Sequence, residues 1–212
     1  GLALGFTCCL MIYLFIRDEI SYDKFHADSE RIYRVASAYM RQGVWEPYSS
    51  NSWRTGELIK TNFGEVEQLV RIMKDDNLFV HGDKRIYENR VAWVDANFFD
   101  VFTFPLIDGN PAEALKGTNK VVISESTAVK YFGTTRALGK VFEVADNAYQ
   151  LEVSGVMPDM PPNSHFHFDF LVSGETLRQV ARPELFTHVG WDSQYLYIKT
   201  APGSDPAKID SA

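Results

Sequence analysis

After its first sixteen residues, the chain alternates between short stretches with the period-two pattern of strands and short stretches with helix caps. In a strand, every second side chain lies on the same face. The pattern predicts strands over 32–40, 66–73, 78–81, 85–94, 120–124, 140–145, 150–157, 165–173 and 193–200. Cap residues and turn glycines predict helices over 52–62, 97–102, 125–132 and 174–181, with one more beginning at Pro206.

The order of these elements predicts an α+β fold with an insertion. Both ends of the soluble part have the pattern strand–helix–strand, whereas the middle consists of hairpins and short helices. We therefore expect one unit to be built from residues 18–77 and 161–212. A second, mixed α/β subdomain, residues 78–160, is expected to be inserted into the first.

Residues 1–16 form an uncharged apolar run that ends at Arg17, Asp18 and Glu19. A buried core helix could have this composition, although such helices usually carry a polar face. A membrane-spanning helix needs roughly 20 apolar residues, and sixteen residues of helix reach only about 24 Å of a hydrocarbon layer of about 30 Å. The interpretation is that residues 1–17 are the C-terminal part of a transmembrane helix. Because few basic residues follow it, the soluble part is expected outside the cytoplasm.

Composition narrows the function classes. The 212 residues carry a formal net charge of −7 with scattered basic residues, which disfavours binding to nucleic acid. The only cysteines, Cys8 and Cys9, are adjacent within the apolar run, so the soluble part has no disulfide framework. The 45% hydrophobic content is that of an ordinary globular domain.

Candidate chemistry is sparse. The run FGTTRALGK (132–140) has the wrong glycine spacing for a phosphate loop, and no serine-nucleophile elbow is present. In the predicted strand 165–173, His165, His167 and Asp169 would share one face, a credible ligand set for zinc or iron. The alternative is a half-buried strand with Phe166, Phe168 and Phe170 in the core and a wet polar face. The sequence therefore predicts no catalytic residue, no cofactor and no metal site, and these three residues remain the candidates for a metal.

Five segments, in this order and spacing, resemble one protein family. They are DEISYDKFHADSERIYRV (18–35), VDANFFDVFTFPLIDGNPAEAL (94–115), KVVISESTAVKYFG (120–133), LGKVFEV (138–144) and VSGVMPDMPPNSHFHFDFLVS (153–173). Together with the apolar run, they resemble the first periplasmic core domain of MacB/FtsX-type ABC transporter permeases, especially the long permeases common in Bacteroidetes. The resemblance covers roughly residues 1–205.

The resemblance implies a setting that the residue pattern alone does not. The domain would stand in the periplasm on an inner-membrane permease. Its expected partners are a cytoplasmic ATPase subunit, a second permease in a dimer, and a periplasmic or outer-membrane protein. The residues 18–77 and 161–212 would be the family's porter-like unit. ATP-driven dimer closure would move the domain and perform work outside the membrane, an arrangement called mechanotransmission.

The family offers no catalytic residues, so the protein is expected not to be an enzyme. The matching positions would be structural, with core phenylalanines, turn glycines and loop-stiffening prolines: Phe98, Phe99, Phe104, Gly109, Gly133, Pro158 and Pro161. Two other function classes stay open from the residues. One is a single-span receptor or sensor that binds a ligand, and the other is a metal-dependent hydrolase that uses His165, His167 and Asp169.

Overall fold

The computed structural model describes residues 1–144, 149–181, 183–187 and 194–205. The predicted helix from Pro206 lies outside the described residues. The helices are α1 (Leu2–Glu19), α2 (Trp53–Asn62), α3 (Phe98–Val101), α4 (Glu125–Phe132), α5 (Gly174–Val180) and α6 (Glu184–Thr187), with a 3-10 turn at Ser29–Arg31. The strands are β1 (Ile32–Val35), β2 (Ser37–Arg41), β3 (Val44–Tyr48), β4 (Val66–His81), β5 (Lys84–Val94), β6 (Asp108–Gly109), β7 (Lys120–Ser124), β8 (Val141–Val144), β9 (Tyr149–Met157), β10 (Phe170–Ser173) and β11 (Gln194–Thr200).

One large mixed sheet organises the domain. Its strand order is β1-β11-β4-β5-β10-β7-β9-β6, and β8 pairs with both β4 and β9. The strands β4, β5, β10, β7, β9 and β8 therefore pair in a closed circuit, in which β10–β5 and β7–β9 are parallel. The predicted α+β fold is confirmed, and the structure shows that its strands form one large mixed sheet.

The two faces of the sheet carry two main hydrophobic cores. Alternate residues of β5 belong to different cores: Val91 and Trp93 to the first, Ala92 and Val94 to the second. The first core also takes side chains from α2, α4 and α5, and the second from α3. A third, smaller cluster lies between α2 and the strands β4 and β11. Hydrophobic burial on both faces thus fixes the sheet as the rigid centre of the domain.

The predicted helix caps are confirmed at α2 and α4. The Ser52 hydroxyl accepts a hydrogen bond from the Thr55 backbone N–H at the start of α2. Ser124 does the same with Thr127 at the start of α4, and Gly133 ends that helix with φ +71°. Each serine satisfies a backbone donor that the first helical turn leaves free, so the sequence marks these boundaries clearly.

The structure differs from the predicted strands in three places. The predicted strand 32–40 is two strands, β1 in the large sheet and β2 in a separate hairpin with β3. The predicted strands 66–73 and 78–81 are one strand, β4, which continues through a register shift between Asp75 and Asn77. Asp75 accepts hydrogen bonds there from the Trp93 indole at 2.8 Å and the Asn77 amide at 2.5 Å. A polar stretch can therefore remain inside the strand. The strand β4 runs across position 77, where the subdomain boundary was predicted. That boundary stays a prediction.

The third difference concerns residues 165–169, which are not a strand; only 170–173 pair as β10. Three backbone N–H groups of this stretch donate to side chains, whereas the Asp169 N–H donates to the Arg90 carbonyl of β5 at 2.7 Å. His165 donates to Asp23, Phe166 to Ser164 and Phe168 to the sulfur of Met160. The burial alternation that suggested a strand is nevertheless present, since Phe166, Phe168 and Phe170 are buried.

Helix α1 extends without any buried residue, and Leu2 is 92% exposed. Its last three residues, Arg17, Asp18 and Glu19, are charged. Within the described part of the chain, no helix combines the length and apolar character needed to cross a membrane. The predicted helix at the N-terminus is therefore present, and its assignment as a membrane span stays a prediction.

Candidate functional site

The structure separates the three candidate metal ligands. The His165 Nδ1 lies 2.5 Å from Asp23, whereas Asp169 is 3.4 Å from the Arg90 guanidinium and accepts a hydrogen bond from the Ser124 hydroxyl. His167 contributes its backbone carbonyl to Arg90, and its side chain is exposed. Across the described residues, no group of three or more His, Cys, Asp or Glu side chains is placed to hold a metal ion. The prediction that His165, His167 and Asp169 share one strand face was wrong, because the stretch is not a strand.

The candidate functional site is the segment that connects α1 to the sheet. We call residues 20–31 the junction segment. It follows α1 directly and leads into β1, so any displacement of α1 reaches the sheet through it. Three sets of contacts tie this segment to distant parts of the chain.

The first set joins the start of the junction segment to the loop before β10. The Asp23 carboxylate accepts hydrogen bonds from the His165 backbone N–H at 3.0 Å and from the His165 imidazole. The Asp23 N–H donates to the Asn163 carbonyl at 3.0 Å, and the Asn163 amide donates to the Ser21 carbonyl at 3.2 Å. Asp23 has φ +56°, a left-handed conformation that Asp tolerates better than most residues. The two loops are thereby interlocked.

The second set surrounds His26, which is only 4% exposed. Its Nδ1 accepts a hydrogen bond from the Thr103 backbone N–H at 3.1 Å, and the Ala27 N–H donates to the Thr103 hydroxyl at 3.0 Å. The ring also lies 5.3 Å from Phe102 and 5.1 Å from Phe104 in edge contacts. Burial lowers the pKa of His26 below its usual value, with Asp23 opposing the shift. The residue therefore packs as a neutral aromatic side chain.

The third set is an ion-pair network at the end of the junction segment. Arg31 binds Asp28 at 2.7 Å and Glu67 at 2.9 Å, and donates to the Thr200 carbonyl at 2.6 Å. Lys199 binds the other oxygen of Asp28 at 2.7 Å. Hydrogen bonds from Lys199 and then Arg31 hold the pKa of Asp28 below its usual value. The network connects the junction segment to both β4, through Glu67, and β11, through Lys199. A network of charges holds its geometry better than a single exposed ion pair does.

A separate polar cluster ties α2 to the sheet, and sequence reasoning did not identify it. Arg71 binds Glu57 of α2 and lies 3.6 Å from Asp95, while its guanidinium stacks 4.3 Å from the Trp53 ring. Burial raises the pKa of Asp95, and Arg71 opposes that shift. Gly56 makes room for this arrangement, because an added Cβ would lie 3.1 Å from Arg71 Nε. The one signal available in the sequence was a charged residue, Arg71, inside the apolar run LVRIM (69–73).

The junction contacts were also missed in the sequence. Asp23, His26 and Arg31 lie within a segment that the family resemblance singled out, yet their partners are far away along the chain. The core phenylalanines and Gly133 are where they were expected, whereas Gly109 lies in β6 instead of in a turn. Phe98 and Phe104 are buried, Phe99 packs at the edge of the second core, and Gly109 has φ +98°.

Comparison with known proteins agrees with the fold. The sequence profile of the MacB-like periplasmic core domain matches residues 1–212. The chain therefore belongs to the MacB-like periplasmic core domain family, the periplasmic domains of MacB/FtsX-like ABC transporter permeases. The resemblance stated from the sequence is thereby confirmed. No curated protein matches the chain.

Solved structures with the same fold include two domains from bacterial transporters and one assigned to a permease. A domain assigned to a permease protein from Porphyromonas gingivalis has a TM-score of 0.73 and 24% identity, over 89% of this chain and 80% of that chain. The periplasmic region of MacB from Actinobacillus actinomycetemcomitans has a TM-score of 0.58 and 14% identity, over 77% and 71%. The extracellular domain of the ABC-type transporter YknZ from Gram-positive bacteria has a TM-score of 0.53 and 16% identity, over 85% and 86%. At these identities, the likeness establishes a shared fold.

Proposed function

We propose that this domain is a non-enzymatic lever that couples cytoplasmic ATP hydrolysis to work in the periplasm. The observation that supports it is the set of contacts that fasten the junction segment, which follows α1 directly, to β4, β11 and the loop before β10. A lever needs a rigid joint between the element that is pushed and the body that moves. The three sets of contacts span both ends of the junction segment and its middle, so a rotation of α1 would carry the sheet with it.

In this proposal, α1 is embedded in lipid at the inner membrane. Its apolar side chains, among them Phe6, Phe15 and Ile16, are exposed around the helix. Apolar surface in water costs roughly 25 cal/mol per Å², so a helix with no buried residue is stabilised by an apolar surrounding. The charged residues Arg17, Asp18 and Glu19 would then mark its exit into the periplasmic interface.

The partners follow from the same proposal. Family membership implies a transporter with a cytoplasmic ATPase. A permease dimer would provide two levers that close together, and a periplasmic or outer-membrane protein would receive the motion. The single-span receptor is the less favoured alternative, because the family profile matches the whole chain.

The experiment measures whether motion passes through the junction segment. The parent permease is reconstituted in nanodiscs with its ATPase, with Cys8 and Cys9 replaced by serine and a nitroxide attached at Arg136→Cys. Pulsed electron–electron double resonance then gives the distance between the nitroxides on the two domains of a dimer, with and without ATP. We expect a nucleotide-dependent shift in this distance.

The decisive variant is the double substitution Asp23→Ala with Arg31→Gln, which removes the side-chain contacts of Asp23 from the first set and those of Arg31 from the third. It should keep ATP hydrolysis while broadening the distance distribution and losing the shift. The matched control, Glu113→Gln, breaks only the surface pair with Lys116 and should behave as the parent. An unchanged shift in the double variant would mean that the junction segment does not transmit the motion.

A further inference from the structure

A pocket of about 240 Å³ opens between the junction segment and the body of the domain. The junction segment contributes one wall, and β1, β11 and the loops at 102 and 165 contribute the others. The pocket lining includes Asp23, His26, Arg34, Phe102, Phe166 and Tyr197. An occupant would therefore touch both parts that the junction holds together.

His26 brings an unused hydrogen-bond donor to this pocket. Its Nδ1 accepts from the Thr103 N–H, so in the neutral ring the proton is on Nε2. Nε2 is buried and has no hydrogen-bond partner among the described residues. A buried donor without a partner is unfavourable, and an acceptor atom in the pocket would relieve that cost. Because Nε2 is covered, the acceptor reaches it only with a small shift of the junction segment.

Arg34 gives the pocket a positive charge against the acidic background of the chain. Its guanidinium lies 4.4 Å from the centre of the Tyr195 ring and donates to the Ser49 carbonyl at 3.3 Å. No carboxylate of the described residues forms an ion pair with Arg34. The pocket's own carboxylate, Asp23, is occupied by two hydrogen bonds from His165.

The remaining walls are aromatic. Phe166 lies 5.0 Å from Phe102 and 5.4 Å from Tyr197, both in edge contact. Burial raises the pKa of Tyr197, so its hydroxyl stays protonated and can donate. Binding sites for small molecules combine apolar and aromatic walls with a few convergent polar groups. This pocket has that combination; its polar groups are donors, the Arg34 cation and the Asp23 carboxylate, whose two oxygens accept from His165.

We propose that this pocket binds a small amphipathic monoanion, an acid group on an aromatic or short aliphatic body. Arg34 neutralises the acid group, His26 Nε2 and the Tyr197 hydroxyl donate to its oxygens, and the body lies against Phe102 and Phe166. The proposal does not depend on the lever function. Its ligand could come from two sources, a dissolved organic acid or the acidic end of an anionic lipid, since the junction segment follows α1.

The probe for this proposal is 4-fluorobenzoate, with 4-fluorobenzyl alcohol as the neutral counterpart. The 212-residue chain is placed in phosphatidylcholine nanodiscs, and binding is followed by ¹⁹F NMR of the probe. We expect saturable binding of the acid and at least about tenfold weaker binding of the alcohol, as the loss of one charge-assisted interaction gives. Absence of saturable binding, or equal binding of the two probes, would overturn the proposal.

Two variants test the residues. Arg34 is exposed, and Tyr197→Phe removes a single hydroxyl, so both Arg34→Gln and Tyr197→Phe should fold; thermal melting checks this. Binding of 4-fluorobenzoate should be about tenfold weaker in Arg34→Gln and several-fold weaker in Tyr197→Phe. The control Arg136→Gln removes an exposed arginine outside the pocket and should bind as the parent does. Equal affinity in Arg34→Gln and Arg136→Gln would refute the site.

A second nanodisc composition distinguishes the two sources. Phosphatidylglycerol nanodiscs are used at high salt, where repulsion of the probe from the surface is screened. If anionic lipid fills the pocket, 4-fluorobenzoate binding is lost in these nanodiscs and kept in phosphatidylcholine. If the ligand is a dissolved acid, affinity is the same in both. Either result assigns the source of the same monoanion site.

Discussion

The Asp23 carboxylate accepts two hydrogen bonds from His165, one from the backbone N–H at 3.0 Å and one from the imidazole. These residues are 142 positions apart, so the contact fastens the segment after α1 to the loop before β10. A carboxylate that satisfies two donors on one residue fixes both distance and orientation. This pairing is the clearest sign that the junction segment is a joint and not a loose linker.

Asp23→Ala should lower the free energy of unfolding by about 1–2 kcal/mol, because water can reach the His165 donors that lose their acceptor. Two donors of His165 lose their acceptor, and alanine is strained at φ +56°. Asp23→Asn should cost less, because asparagine tolerates this conformation and keeps one acceptor oxygen. Chemical denaturation measures both variants. Equal stability of Asp23→Ala and the parent would show that the contact contributes nothing to the folded state.

Asp28→Asn should change how stability depends on pH. Hydrogen bonds from Lys199 and Arg31 hold the folded-state pKa of Asp28 below its usual value, so the ionised carboxylate favours the folded state. This contribution is complete above the unfolded-state pKa and is lost as the pH falls through the lower, folded-state pKa.

The parent chain should therefore be more stable than Asp28→Asn at neutral pH, and the difference should shrink below about pH 4. Thermal melts of both proteins across this range give the comparison. A difference that is constant down to acidic pH would assign the effect to packing instead of charge.

Phe168→Ala should cost about 3–5 kcal/mol of unfolding free energy, as truncation of a buried aromatic residue does. Phe168 is 4% exposed and stacks on Phe166 with ring centres 5.6 Å apart. The matched control is Phe6→Ala on α1, where the phenylalanine is exposed and should leave domain unfolding unchanged. A cost of under about 1 kcal/mol for Phe168→Ala in chemical denaturation would contradict its place in the core.

His167→Ala should change stability by no more than about 0.5 kcal/mol, because its side chain is exposed. His26→Ala, in contrast, should cost about 2 kcal/mol or more, since it removes a buried ring and the acceptor of the Thr103 N–H. Differential scanning calorimetry with and without a chelator measures both stabilities, and elemental analysis measures bound metal. Stoichiometric metal that is lost in His167→Ala would restore the metal hypothesis.

Gly109→Ala should be strongly destabilising, by about 3 kcal/mol or more, for two additive reasons. The residue has φ +98°, and an added Cβ would lie 2.6 Å from the Ser154 carbonyl oxygen. Gly133→Ala is the control, because its φ is +71° and its Cβ would meet nothing within 4 Å. Only backbone strain of about 1–2 kcal/mol remains there. Similar costs for both variants would show that the close approach at Gly109 is easily relieved.

Much of the secondary structure could be predicted because its causes are local. Ser52 and Ser124 cap helices through bonds that span three residues, and Gly133 ends a helix through its own backbone angle. The stretch 165–169 shows what a local residue pattern leaves undetermined. Its period-two pattern correctly indicated which side chains are buried, but backbone pairing depends on which acceptor lies nearest in space. Asp23, Ser164 and Met160 accept from three N–H groups of this stretch, and the Asp169 N–H donates to the Arg90 carbonyl of β5.

The sequence by itself determined the kind of protein: an apolar N-terminal helix, a mixed α and β domain, and segments in the order typical of the MacB-like periplasmic core domain. Those features depend on composition and on short-range order, which can be read along the chain. Only the tertiary structure decided the joint, because it brings Asp23 to His165, His26 to Thr103, and Asp28 to Lys199. The physical reason is that hydrogen bonds and ion pairs depend on distances in space, and the path of the sheet sets those distances for residues far apart in sequence.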